Sequence, residues 1–113
     1  MVIKRYADVK SQAYAGMPEG VELREMIAAE DGAPNFTLRV FDLEPGASTP
    51  FHAHAWEHEV FILHGTGRVK GQGEEKSFQG GDSIYIAPNE MHCFIAGAAL
   101  RFICVVPRDR CTL

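Results

Sequence analysis

No stretch of this 113-residue chain reaches the ~20 consecutive apolar residues of a membrane helix. Residues 1–10 alternate charged and apolar side chains, so no secretory leader is expected there. Lys and Arg total 11 against 15 Asp and Glu, a formal net charge of -4, and the basic residues nowhere cluster. Nucleic acid is therefore not an expected partner, because phosphate backbones are held by concentrated positive charge. A membrane is not expected either. Cysteine is scarce: Cys93, Cys104 and Cys111 make an odd set without a C-x-x-C pair. That argues against a disulfide framework and a thiolate zinc knot, and it fits a reducing, cytoplasmic setting.

What the chain does have is regular punctuation. Turn-forming residues recur at Pro18-Glu19-Gly20, Pro45-Gly46, Gly65-Thr66-Gly67, Gly71-Gln72-Gly73, Gly80-Gly81 and Pro88-Asn89. Between them lie short runs rich in Phe, Ile, Val and Tyr, at 35–43, 58–64, 82–87 and 100–106. Such runs predict an all-β sandwich or barrel, forming a single domain over 1–113. In the last run Leu100, Phe102, Cys104 and Val106 share one face, and Arg101, Ile103 and Val105 share the other. Arg101 seeks water, so Phe102, Cys104 and Val106 are expected inside. The second face still carries Ile103 and Val105. It is either a subunit contact or an edge packed within one chain.

Histidine is concentrated. His52, His54 and His58 fall within seven positions, and His92 follows the Pro88-Asn89 turn. On a strand, residues i and i+2 face the same way, roughly 6.5 Å apart. On a helix they would diverge by about 200°. His52 and His54 therefore read as a strand-type chelate. After a short turn, His58 opens the next run and can return to the same point. A metal site explains this pattern better than isolated core or surface histidines do. His64 precedes Gly65 at a strand end and is expected in solvent, not as a ligand. The string His54-Ala55-Trp56-Glu57-His58 also spells H-x-x-E-H, which on a helix would carry a metalloprotease site. Pro50 before it and Val60-Phe61-Ile62-Leu63 after it oppose a helix, and that reading leaves His52 and His92 without a role.

These residues resemble the two motifs of the cupin superfamily. Gly46, five residues, then His52-Ala53-His54 follows the first motif. Six residues back from Gly65 stands His58, where the family usually has Glu; Glu59 breaks that count. In the second motif Gly81 and His92 are in register. Ala87 stands for the usual Pro, Asn89 for the turn Gly and Ala96 for the final Asn. Asn is tolerated in a left-handed turn. Ala33-Pro34-Asn35-Phe36, Trp56-Glu57-His58-Glu59 and Pro88-Asn89-Glu90 look like the small single-domain cupins that bind manganese through four histidines. The resemblance implies a double-stranded β-helix (jelly-roll) barrel, a homodimer, and one divalent transition metal ion held by His52, His54, His58 and His92. Manganese is the first expectation. Imidazole also suits Fe, Ni, Cu and Zn.

Two functions follow as expectations. One is a metal-dependent oxidoreductase, dioxygenase-like, acting on a small organic molecule. The other is a non-catalytic module that binds a metal or a small ligand. Three further residues are candidates for a substrate pocket. Arg39 either holds an anionic group in the barrel mouth or is a solvated surface residue. Trp56 either caps the site or packs a loop. Cys104 either lines the pocket or is a small buried apolar residue. Glu57 and Glu59 are candidate partners for imidazole N–H groups.

Overall fold

The computed structural model describes residues 1–108, and Cys111 lies outside the described residues. Eight strands follow one another: β1 Val21–Ile27, β2 Phe36–Leu43, β3 His58–His64, β4 Thr66–Gly71, β5 Glu75–Gln79, β6 Ser83–Ile86, β7 His92–Ala96 and β8 Leu100–Pro107. Five pair antiparallel in the order β1-β2-β8-β3-β6, and three in the order β5-β4-β7. The two sheets face each other as a jelly-roll barrel. No helix among the described residues is long and apolar enough to cross a membrane.

Alternation explains the layering. On β8, Leu100, Phe102, Cys104 and Val106 are buried, whereas Arg101, Ile103 and Val105 face outward and are half-exposed. On β3, His58, Val60 and Ile62 point in, and Glu59, Phe61 and Leu63 point out. On β2 the inward set is Thr37, Arg39, Phe41 and Leu43. Arg39 is thus fully buried, and the surface reading of this residue is overturned. Phe36 and Leu38, which alternate with this set, are on the outer face.

The barrel interior is apolar at one end, with Leu23, Leu43, Ile62 and Leu100. An aromatic layer comes next. Phe102 stacks on Phe41 at 4.9 Å between ring centroids and lies 5.0 Å from Phe94. Above that layer the inward residues turn polar: Arg39, Thr49, His58 and His92. Outside the five-stranded sheet, Tyr6 lies against Arg101 and Arg24, whose guanidinium carbons are 4.1 and 4.6 Å from its ring centroid. Arg101 Nε donates to Asp42 at 2.6 Å, and the Tyr6 hydroxyl donates to the same carboxylate.

Gly65, between β3 and β4, shows why the first motif ends on glycine. Its φ is +101°, and a Cβ there would lie 2.3 Å from the Ala99 carbonyl oxygen and 2.8 Å from Leu100 Cα. Both obstacles are backbone, so neither can swing aside. Gly65→Ala should therefore destabilise the fold by about 2 kcal/mol or more, combining left-handed strain with the clash. Gly73→Ala, also at positive φ but with open space around it, should cost less. Denaturant midpoints of the two variants check this; equal losses would contradict it.

Candidate metal centre

Three pieces of chain bring the histidines together. His52 lies before β3 but bridges to His92 at the start of β7. The two exchange both backbone hydrogen bonds, 3.1 Å from His52 N–H and 2.9 Å from His92 N–H. Directly opposed residues in such a pair send their side chains to one face. The His54 carbonyl accepts the N–H of Asn89, which ties the β6–β7 turn to the same segment. Asn89 holds that turn at φ 65°, the left-handed conformation expected of an Asn in the glycine position. His58 enters from the first position of β3, facing inward.

One ring nitrogen from each of His52, His54 and His92 lies within 4.8 Å of the others. The His58 ring stands beside this triad, its centroid 5.1 Å from that of His54 and 5.0 Å from that of His92. His58 and His92 are buried, and His52 and His54 are half-exposed. The cluster thus spans from barrel interior to barrel mouth. Nδ1 of His92 lies 2.8 Å from the Glu90 carbonyl, which can accept only from an N–H. That fixes the tautomer and leaves Nε2 with a lone pair. His58 Nδ1 lies 3.3 Å from Cys104 Sγ. Its Nε2 is buried and has no hydrogen-bond partner. A buried polar atom with no partner calls for an explanation, and a cation among neighbouring imidazoles supplies one. The residues present fit a divalent metal.

The electrostatics agree. Burial, with His92 and Arg39 close by, pushes the His58 imidazole down to about 3. Burial also lowers His92. Both rings are therefore neutral at neutral pH, the state a ligand needs. Burial pushes the Cys104 thiol up, so it stays protonated.

The candidate pocket residues separate. Arg39 and Cys104 line a small internal cavity of about 10 Å³, together with His52, His58 and His92. That is room for about one water molecule. Trp56 is half-buried at the mouth and stacks on the His54 ring at 4.5 Å with 7° between planes. Glu57 and Glu59 are exposed, and Glu59 faces away from the histidines on the outer side of β3. His64 is exposed. Sequence reasoning missed the larger opening: a groove of about 600 Å³ between β6 and the three-stranded sheet. Val69, Ile84 and Met91 line it together with Lys70, Glu74, Lys76 and Asp82, and His92 borders it. These residues carry no motif of their own. Only the proximity of Met91 to His92 pointed to them.

Comparison with known proteins now decides the family. Residues 39–106 match the cupin domain. The chain belongs to the cupin family. Among solved structures, this cupin is similar to the polyketide cyclase RemF from Streptomyces resistomycificus, at 32% identity and a TM-score of 0.89, over 99% of this chain and 82% of that one. It also resembles a cupin-2 domain from Rhodospirillum rubrum, at 26% identity and a TM-score of 0.82, over 98% and 77% of the two chains. Ectoine synthase from P. lautus shares the fold at 19% identity and a TM-score of 0.79, over 94% and 77%. No protein of curated function matches this chain.

The opposite faces of His58 and Glu59 give a direct test. His58→Ala should weaken metal binding by roughly 10–100-fold or more. Glu59→Gln should change it little, measured by chelator competition. The reverse ranking would make Glu59 the ligand. The low value for His58 also has a sign in pH. Between about 6.5 and about 3 the unfolded chain binds a proton there that the folded chain does not. Stability of the metal-free protein should thus fall as pH drops through that window. Thermal unfolding from about pH 7.5 to about pH 5 checks this. The decline should be shallower in His58→Gln, and an identical decline would contradict the assignment.

Proposed function

We propose that this cupin is a metal-dependent enzyme that polarises a carbonyl oxygen of a small organic molecule, as a cyclisation of a polyketone requires. The observation that carries the reading is the gathering of ring nitrogens of His52, His54 and His92 within 4.8 Å of one another, with the His58 ring beside them, next to a groove of about 600 Å³ that His92 also lines. That volume is of ordinary size for a small-molecule site. The likeness to a polyketide cyclase at 32% identity supports the class of substrate.

In this reading His52, His54, His58 and His92 hold one divalent ion, with manganese first and Fe, Ni, Cu or Zn also suited to imidazole. Such an ion supplies Lewis-acid polarisation at its full charge, because four imidazoles bring no negative charge to offset it. The chain's own residues do the rest. The Glu90 carbonyl orients His92. Trp56 stacks on His54 and shields its half-exposed face from water. Val69, Ile84 and Met91 give the groove apolar patches, and Lys70, Glu74, Lys76, Asp82 and Glu90 give it charged ones that can meet a substrate's polar groups. Arg39 sits behind the histidines in a cavity of about 10 Å³, too small to admit a substrate group without rearrangement. The dioxygenase-like oxidoreductase expected from the sequence would use the same four histidines.

The experiment is turnover of a panel of small diketones and polyketones by the metal-loaded protein, reading product mass and O₂ uptake together. The expected result is a metal-dependent product isomeric with the substrate, or lighter by one water, without O₂ consumption. Stoichiometric O₂ uptake would favour the oxidoreductase instead. Tight metal binding without turnover across the panel would favour a binding module.

We also propose that the chain forms a homodimer through the outer face of the five-stranded sheet. Phe61, Leu63 and Tyr85 are 45%, 44% and 59% exposed there. Half-buried Leu38, Ile103 and Val105 continue the same face. Antiparallel pairing sets Phe61 beside Ile103 and Leu38 beside Val105, with Glu59 between Val105 and Tyr85, and the apolar residues around that one carboxylate form a patch of the kind that marks an interface. Light scattering should show a dimer that Phe61→Glu converts to monomer. A monomeric parent protein would contradict this.

A further inference from the structure

The four-histidine reading leaves unexplained why Arg39 and Cys104, two residues of unlike chemistry, lie buried directly behind the ligands. Register explains the contact. Cys104 on β8 is the direct partner of Arg39 on β2 and of Val60 on β3. His58 shares the inward face with Val60, two residues earlier on the same strand. Cys104 is therefore the cross-strand neighbour of one and the diagonal neighbour of the other, within side-chain reach of both. Arg39 Nη2 donates to Cys104 Sγ at 3.2 Å, and His58 Nδ1 lies 3.3 Å from the same sulfur. Cys104 is 2% exposed and Arg39 0%, so bulk solvent does not reach either contact.

Two proton arrangements satisfy those distances. In one, the thiol donates to His58 Nδ1, and the ring proton sits on Nε2. In the other, Nδ1–H donates to the sulfur, and Nε2 carries a lone pair. Arg39 is compatible with both, because a guanidinium has only donors and the thiol sulfur keeps a lone pair for it in either arrangement. Without metal, both also leave the buried Nε2 without a partner. The four-histidine reading selects the second, since only there does Nε2 keep the lone pair a metal needs, and its cost is a weakly donating S–H left without a strong bond. We propose that Cys104 is a positioning residue: its sulfur accepts from His58 Nδ1–H, is itself held by Arg39, and so turns the His58 Nε2 lone pair toward the metal. Glu90 does the same for His92 through a backbone carbonyl at 2.8 Å. The half-exposed His52 and His54 lie nearer the mouth.

The inference rests on His58 being a ligand, and the test separates the two. The tautomer is read without metal, by NMR of isotope-labelled imidazole nitrogens in the metal-free protein. The parent should show His58 protonated on Nδ1. Cys104→Val, which removes the acceptor at the cost of roughly one extra methyl group, should move the proton toward Nε2. It should also weaken metal binding by about 10–100-fold, the usual effect of losing a ligand's hydrogen-bond partner. Cys104→Ser, which keeps an acceptor, should restore both. Thermal unfolding of the metal-free variants shows whether each is folded; should the Val variant fail to fold, the parent tautomer and the Ser variant still decide. His58 protonated on Nε2 in the parent, or unchanged metal affinity in folded Cys104→Val, would overturn the proposal. Parent-like metal affinity in His58→Ala would instead overturn the four-histidine reading, whatever the tautomer.

Discussion

β8 pairs with β2 on one side and β3 on the other, so its alternation determines which residues of three strands share the barrel interior. Phe102 on its inward face lies between Phe41 and Phe94 and closes the apolar end. Cys104, two residues on, meets Arg39 and His58. A slip of one residue would send Arg101 and Ile103 inward and expel both layers at once. The same pairing thus holds the core and aims the site. Gly65 and the Arg101–Asp42 ion pair secure it from the loop and from the outer face.

Burying His58 and His92 inside the barrel has an energetic consequence. Burial disfavours their charged forms, which keeps these two rings neutral and ready to donate lone pairs. Their N–H groups must still be satisfied, and the structure does this for the buried pair with acceptors from inside: a carbonyl for His92 and a sulfur beside His58. What is left over is the His58 Nε2 atom, buried and without a partner. In an apolar interior such an atom destabilises the fold, and a cation at the centre of the cluster removes that penalty. In the proposed metal-bound state, metal binding and folding would be coupled for this reason.

Much of this was legible in the sequence, and the exceptions have physical causes. The runs at 58–64 and 100–106 match β3 and most of β8 because both alternate cleanly. β4 and β5 were not legible as strands. Thr66–Gly71 and Glu75–Gln79 are mostly polar, and only Gly67 and Phe78 among them are buried. His52 and His54 do converge with His58, but not as a strand pair: His52 makes only an isolated bridge to His92, His54 lies in no strand, and His58 returns to them from the start of β3. Arg39 could not be placed, since a guanidinium in a strand ordinarily signals solvent, and its burial becomes intelligible through its cross-strand partner Cys104, which accepts from it in the interior. The groove beside His92 was invisible for a different reason. It is a gap between sheets, lined by residues from β4, β5, β6 and the following turn.

The central claim is that the imidazole cluster binds a metal. Its most direct test is elemental analysis of protein purified without a histidine tag, after reconstitution in turn with Mn, Fe, Ni, Cu and Zn. The account predicts one ion per chain with at least one of these metals, lost when His52 or His54 is replaced by Ala and retained in His64→Ala. No stoichiometric ion with any of the five, or equal losses at all three positions, would contradict it.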